Sequence, residues 1–476
     1  MESISTIKDN TNDLFIKYAN HLGYDEEQID VYREVLSSVK EIIQRNVTPN
    51  HMDWDKIGAQ LVNGKVKLPT NMENTIQEII RENQLLQWFI PEKYGGYGYG
   101  NVFAVGIYEL FAQYDISLQI LTFISLSVLE ALTVYYKDNF QPIIDDFANG
   151  KRLGYVAFTE PQAGSNLENI KSTSTLEGDE YILNGTKIFI SNGGYADTGL
   201  FLARNIVDNK TEGTNVFLID NMKNITIDRL EEKSGIHANP TAQLTFNDVI
   251  VPKENLIGKS GAGYRKVLET LMGMRLGVIW QGIGASQRAF KLAKDYSEQR
   301  VQFGKPIISF DGVSRKLKDI EKQLVKFRTY GYVAAYGLDR FYKGYIPVDV
   351  GATGEASEKT AADMFPSTVR TGLAHYLMST GKLYTSEITN MILYDCQQIY
   401  GGNGFVYEYE INKIARDVRI LPVYEGTSEI HEWLIHKTLP ALNMLPKFKK
   451  TSLNFNELTV YERMLYEKFP SLRNAI

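Results

Sequence analysis

The stretch RLGYVAFTEPQAGSN, residues 152–166, decides how the chain is read. Upstream of it, apolar residues recur every three or four positions. From it onward come short segments rich in β-branched and aromatic residues: DEYILNG, TKIFISN, GLFLARNIV, TNVFLID, ITIDRL and TAQLTFNDVIV, punctuated by EGDE, NGG and PKEN. A change of period from 3.6 to 2 predicts a helical region giving way to a compact antiparallel β-domain rather than βαβ units.

Working outward, DEEQIDVYREVLSSVKEIIQRN (25–46) puts Ile29, Tyr32, Val35, Leu36, Val39 and Ile43 on one helical face. Asp25 is placed to cap it and Gln28 to complete a capping box, and Pro49 marks its end. Residues 51–70 break the helical pattern, PEKYGGYGYG (91–100) is a loop, and helical runs are predicted around 101–115 and 117–149. Past Gly258 the helical period returns. VLETLMGMRLGVIWQGIGASQRAF (267–290) is apolar on most sides and predicts a central buried helix. Val313, Leu317, Ile320, Leu324, Phe327 and Gly331 form a second helical stripe. KGYIPVDVGATGEAS (343–357) is an irregular link, and a long helix runs from about Ser367, behind Pro366, to Tyr400. The expected organisation is a helical region over 1–150, a β-domain over 151–260, a helical region over 261–437 and a C-terminal stretch, 438–476, with no assigned role.

The chain has 476 residues, 43% hydrophobic and 23% charged, enough for several packed cores. Its net charge of −6 argues against a general nucleic-acid binder, which needs a basic face. Lys447, Lys449 and Lys450 read as a solvated tail. The single cysteine, Cys396, suits a reducing compartment and reads as a small packed side chain. No apolar run approaches the roughly 20 residues of a membrane span. MESISTIKDNTNDLF does not read as a secretory signal, so a cytoplasmic location is expected.

Several chemistries are excluded. The six histidines make no metal-ligand spacing; those of HEWLIH (431–436) are five apart and do not share a helical face. There is no GxSxG elbow. Gly258-Lys259-Ser260 lacks the upstream glycine of a phosphate loop, and GIGASQ (282–287) lacks the third glycine and preceding strand of a dinucleotide fingerprint.

Six strings remain: FTEPQAGSN (158–166), NGTKIFISNGG (184–194), EKSGIHANPTAQLTFNDVIVPKENLIG (232–258), YSEQRVQFGKP (296–306), QIYGGNGF (398–405) and VYEGTSEI (423–430). In this order and separation they resemble the flavin-dependent acyl-CoA dehydrogenases, over about residues 80–437. IGAQLVNGKVKLP (57–69) and RDVRILPVYEGT (416–427) are similar to the larger bacterial members that include methylthiopropionyl-CoA dehydrogenases. The resemblance implies an α+β fold with an N-terminal α-helical domain, a middle antiparallel β-domain and a C-terminal four-helix bundle. It also implies FAD, a homo-oligomer (dimer or tetramer), an acyl-CoA substrate converted to a trans-2-enoyl-CoA, and an electron-transfer flavoprotein as acceptor.

The same resemblance implies roles for residues. Phe158 and Thr159 face the flavin pyrimidine edge; Phe189 packs against the ring and Ser191 approaches its reactive nitrogen. Ser165 touches the pantetheine and pyrophosphate region, next to Asn166 where the family commonly has Asp. Arg300, with Phe303, reaches the pyrophosphate of a partner's FAD, where Gln302 replaces a common hydroxyl residue. A guanidinium suits a diphosphate because its donors are forked and its charge permanent. Gln398, Gly401 and Gly402 approach the adenine half, and Thr427 contacts cofactor. Tyr424 and Gly426 border the substrate; Arg275 assists CoA, orients the catalytic loop or forms a structural ion pair. Glu425 matches the base that removes the α-proton, its backbone N–H helping to bind the thioester carbonyl, and burial is expected to raise its pKa. Met274 occupies the position where some members keep their base, and methionine cannot accept the proton. Two alternatives stand beside this reading: an acyl-CoA or nitroalkane-type oxidase using O2, and a non-catalytic relative binding nucleic acid or protein.

Overall fold

The computed structural model describes residues 25–339, 367–442 and 459–469, with the side chains of 367–371 and 439–442 left aside. The link 343–357, Pro366, the lysines at 447, 449 and 450 and the first 24 residues lie outside them.

Helix α1 (Glu26–Ile42) begins as its sequence predicts. Asp25 Oδ1 accepts the Gln28 N–H at 2.8 Å, and Gln28 Oε1 accepts the Asp25 N–H at 3.1 Å. Its buried face is Ile29, Tyr32, Leu36, Val39 and Ile42. Residues 51–70 depart from expectation: His51–Ile57 forms α2, stopped by Gly58 at φ +66°. A small hairpin follows, β1 (Gln60–Val62) and β2 (Lys65–Lys67), turning through Asn63 and Gly64 at positive φ, then α3 (Thr70–Ile76).

Helices α4 (Asn101–Tyr114) and α5 (Ile116–Val134) are buried almost all round. Helix α5 corrects the expectation of no span-length apolar run: its 19 residues are long and apolar enough, yet 89% of the apolar window is buried in protein. The run expected over 117–149 is broken after Val134 and resumes as α6 (Gln141–Ala148), with Pro142 in its first turn.

The seven-stranded sheet comprises β3 (Gly154–Ala157), β4 (Thr173–Glu177), β5 (Glu180–Ser191), β6 (Thr198–Val207), β7 (Lys210–Ile219), β8 (Ile225–Leu230) and β9 (Thr241–Pro252). The order is β3-β6-β4-β5-β9-β8, with β7 also on β6. The sheet is mixed rather than purely antiparallel, because β6 pairs in parallel with both β3 and β4. DEYILNG and TKIFISN are one strand, β5, continuous through Gly185.

Helix α7 (Gly263–Gln299) is the central helix, packed against α4, α5, α8 (Asp311–Gly337) and α9 (Ser367–Tyr400). The hairpin β10–β11 (Val301–Gln302, Lys305–Pro306) follows α7 and turns through Phe303 and Gly304. After α9 come α10 (Glu410–Val418), α11 (Ser428–Leu442) and α12 (Val460–Lys468). Helices α7, α8, α9 and α11 make the helical bundle, and α12 docks Tyr461, Leu465 and Tyr466 on α8 and α9.

Close approach of α7 to α4 depends on Gly284. A Cβ there would stand 2.6 Å from the Glu109 carbonyl oxygen and 2.7 Å from the Ala112 Cβ, so helix backbones would have to separate. Gly284→Ala is expected to cost about 1–3 kcal/mol through overpacking. Thermal unfolding should show a midpoint lowered by several degrees, and an unchanged midpoint would contradict the close packing.

Candidate active site

The site is built on α10. This helix buries Ile411, Ile414 and Val418 together with two charged residues, Lys413 and Asp417. Lys413 Nζ lies 2.7 Å from Asp417 Oδ2 and 2.9 Å from Asp115 Oδ2. Asp115 caps α5, and Asp417 Oδ1 accepts the Ile236 N–H at 2.5 Å from the segment leading to β9. Neighbouring Arg416 pairs with Asp55 at the end of α2. Thus α10 is keyed to both preceding regions before the chain leaves it.

Beyond α10 the chain turns through residues 419–424 and reaches Glu425 at φ +56° and Gly426 at φ +100°. A left-handed conformation costs a non-glycine residue about 1–2 kcal/mol. Three buried donors hold this turn. Arg275 Nε and His431 Nε2 reach the Glu425 carbonyl at 3.3 and 3.1 Å, and Lys382 Nζ reaches the Gly426 carbonyl at 2.6 Å. Because Nε2 faces a carbonyl, His431 carries its proton there. Gly426 suits its place: a Cβ would stand 3.0 Å from His431 Nε2.

The charges around Glu425 follow from enclosure. Burial pushes its carboxyl up to about 7, against the pull of Arg275 and Lys382. Burial also lowers Lys382 to about 7, with Glu425 opposing, and Arg275 to about 10. His431 is driven well below its usual range by burial and by the two cations, and His375 falls to about 4 by burial and by Arg275. Tyr424 donates its hydroxyl to Gln281, which in turn donates to Gln119. The Glu425 N–H makes no hydrogen bond to any described residue.

A second group lies where β3 ends against β5. The Ile188 N–H donates to the Thr159 carbonyl at 3.0 Å. Beneath it, buried Lys187 Nζ donates to Phe158 O at 3.1 Å and Glu160 Oε1 at 2.7 Å. Burial raises the Glu160 carboxyl, but Lys187 and donors from Lys171 and Ser172 outweigh it and hold the group at about 2. A bulge between Lys187 and Ile190 leaves Phe189 at φ +58° and 60% exposed. Phe158 is buried, Thr159 and Ser191 are half-buried, and the two hydroxyls bond no other described residue. An exposed aromatic beside two free hydroxyls fits a flat heteroaromatic group with polar edges. Ser165 is exposed on the adjoining loop.

The third group does not join the other two within the chain. Arg275 and Arg300 are roughly 35–40 Å apart along α7 at 1.5 Å per residue. Arg300 is exposed, and Phe303, at φ +52°, is 93% exposed at its hairpin tip. Gln398, Gly401 and Gly402 are exposed at the matching end of α9, and among the described residues the Gln302 side chain donates to the neighbouring Val301 carbonyl. Met274 is buried beside Arg275. Thr427 and Tyr424 are half-buried, flanking the Glu425–Gly426 turn.

Sequence reasoning missed Lys382, His431 and His375. A lysine inside the otherwise weakly charged run HYLMSTGKLYTSEI was the only available signal for the first.

Residues 156–249 match the family model for the acyl-CoA dehydrogenase middle domain, and residues 261–343 and 355–439 match that for the acyl-CoA dehydrogenase C-terminal domain. The chain is 33% identical over 350 residues to a short-chain-specific acyl-CoA dehydrogenase of Megasphaera elsdenii, covering 71% of this chain and 82% of the relative. It is similar to the solved butyryl-CoA dehydrogenase of the same organism, with a TM-score of 0.71 at 28% identity over 86% of this chain and 98% of the other. A chain from a structure described as the electron transferring flavoprotein of Acidaminococcus fermentans also matches, with a TM-score of 0.71 at 26% identity over 86% and 97%.

The raised carboxyl at 425 makes a stability prediction. Its folded pKa, about 7, lies above the ordinary 4.5, so the folded chain holds this proton more tightly than the unfolded chain. Stability is retained below the ordinary value and lost as pH rises towards 7. Glu425→Gln should therefore raise stability near pH 8 by on the order of 1–3 kcal/mol, read as a higher thermal midpoint, and leave the midpoint unchanged near pH 4.5. Equal effects at both pH values would refute burial as the cause.

Proposed function

The chain belongs to the acyl-CoA dehydrogenase family, and from that premise we propose that it oxidises an acyl-CoA thioester across its α and β carbons to a trans-2-enoyl-CoA, with FAD as cofactor and Glu425 as the base. The observation that carries the assignment of the base is the carboxyl at 425. It is half-buried, raised towards neutrality and held on a strained turn by three buried donors.

Glu425 removes the α-proton, which the adjoining thioester has already made more acidic. A carboxylate with a pKa near 7 accepts that proton more readily than one near 4.5, while about half of it is still ionised at neutral pH. The Glu425 N–H, left free by the described residues, points the reading to the thioester oxygen: a fixed donor there stabilises the negative charge that develops as the proton leaves. Arg275, His431 and Lys382 act on the two carbonyls of the turn, which orients both the carboxyl and that N–H. Gly426 and Tyr424 border the substrate.

FAD bound along Phe158, Thr159, Phe189 and Ser191 supplies the two-electron acceptor for the β-hydride. The exposed Phe189 ring and the two unengaged hydroxyls support this placement. Ser165 and Thr427 extend the contact at either side. Arg300, Phe303, Gln398, Gly401 and Gly402 serve the cofactor of a second copy in a homo-oligomer, a reading supported by their exposure and by the length of α7 between Arg275 and Arg300. An electron-transfer flavoprotein takes the electrons onward.

Anaerobic titration of the yellow protein with straight-chain acyl-CoAs tests the reading. Bleaching of the flavin is expected, with a rate that rises with pH to half its maximum near 7. Slow re-oxidation by O2 is expected and distinguishes a dehydrogenase from an oxidase. Glu425→Gln should bind acyl-CoA yet bleach about 10²–10⁴-fold more slowly. Bleaching of that variant at the unmodified rate would remove Glu425 from the mechanism.

A further inference from the structure

Residues 459–469 lie past the span that matches the family, which ends at residue 439. They are nonetheless bound tightly to the bundle. Thr459 and Glu462 form a reciprocal capping box that starts α12. Glu462 accepts the Tyr384 hydroxyl at 2.7 Å and Lys326 Nζ at 2.6 Å, and Tyr461 donates its hydroxyl to Asp395 Oδ2 at 2.8 Å. At the other end of α12, Lys468 Nζ lies 2.7 Å from Glu387 Oε2 on α9.

Glu387 is buried, and its second oxygen, Oε1, accepts the Ser428 hydroxyl at 2.5 Å. Ser428 is itself buried; it opens α11 and comes directly after Thr427. So one carboxylate joins the last residue of α12 to the residue that closes the Glu425–Gly426–Thr427 turn. We propose that α12 is a positioning element for proton abstraction: Lys468 holds Glu387, Glu387 holds Ser428, and Ser428 fixes the C-terminal side of the turn that aims Glu425.

The chemistry of the three groups supports the chain. A hydroxyl bonded to an ionised carboxylate is short and directional, and roughly twice as strong as a neutral pair. Lys468 places a cation 2.7 Å from this buried carboxylate and so offsets part of the cost of burying a charge. The Glu387 charge also favours the protonated form of Lys382, the donor to the Gly426 carbonyl. The turn needs anchors because Glu425 sits at φ +56°, a conformation that relaxes if its ends are free. Arg275, His431 and Lys382 secure its carbonyls; Ser428 secures the backbone that follows.

The inference rests on Glu425 being the base. Its test uses the full-length, FAD-loaded protein, with butyryl-CoA or the best acyl-CoA from the titration. Lys468→Met keeps the aliphatic stem and removes the charge; Ser428→Ala removes the hydroxyl; Lys468→Arg restores a cation. Lys468→Met and Ser428→Ala should each slow flavin reduction at saturating substrate about 3- to 10-fold, the scale of a slightly misplaced base. KM should stay within about twofold, because α12 touches neither substrate nor cofactor in this assignment. Lys468→Arg should recover most of the rate. Unchanged reduction in Lys468→Met would overturn the proposal. So would a loss of rate that tracks a loss of bound FAD or of thermal midpoint and that Lys468→Arg does not rescue. Bleaching of the unmodified protein, measured alongside, separates failure of this proposal from failure of the dehydrogenase reading.

Discussion

Lys413 is the constraint on which the architecture of the site depends. Its ammonium is buried between Asp115 at the start of α5 and Asp417 on its own helix, and Asp417 also binds the backbone of Ile236. These groups come from three regions far apart in sequence. Removing a charge from water costs several kcal/mol, and the two carboxylates offset that cost only if all three regions come together. Its pKa accordingly stands above the ordinary lysine value: burial lowers it, but Asp115 and Asp417 outweigh burial. Since α10 leads straight into the turn at 425, whatever seats Lys413 also sets where the carboxyl of Glu425 points.

From that placement the electrostatics of the site follow. The same withdrawal from solvent that raises Glu425 lowers Lys382, Arg275 and His431. The cations do not cancel the effect of burial, so the carboxyl is left near neutrality. Most of their hydrogen bonding goes to backbone carbonyls, which separates two tasks. The backbone is held by donors, while the carboxyl bonds none of them, as its proposed role as a base requires.

Much of this was legible in the chain itself. The α1 capping box at Asp25 and Gln28 is a local pattern and reads directly. So do the stripe on α8 and the continuous apolar character of α7, because a helix face reports its own burial. Glu425 was singled out through the ordered strings, since the role proposed for an acid depends on partners that no local pattern shows. What stayed hidden is non-local. The parallel pairing of β6 with β3 and β4 is invisible to alternation along a strand, and β4 itself, Thr173–Glu177, is too polar to stand out. Lys382 was overlooked because an isolated lysine is ordinarily solvated, whereas here it is wholly buried.

The lone thiol gains a use from where α12 sits. Cys396 is fully enclosed on α9, next to Asp395, the acceptor of the Tyr461 hydroxyl, and burial pushes its pKa above the usual range. A disulfide reagent can therefore reach it only while the surrounding structure is open. Because the sequence holds no other cysteine, the slow rise of a released thiolate chromophore would count those openings in the untouched polypeptide, with no label to install.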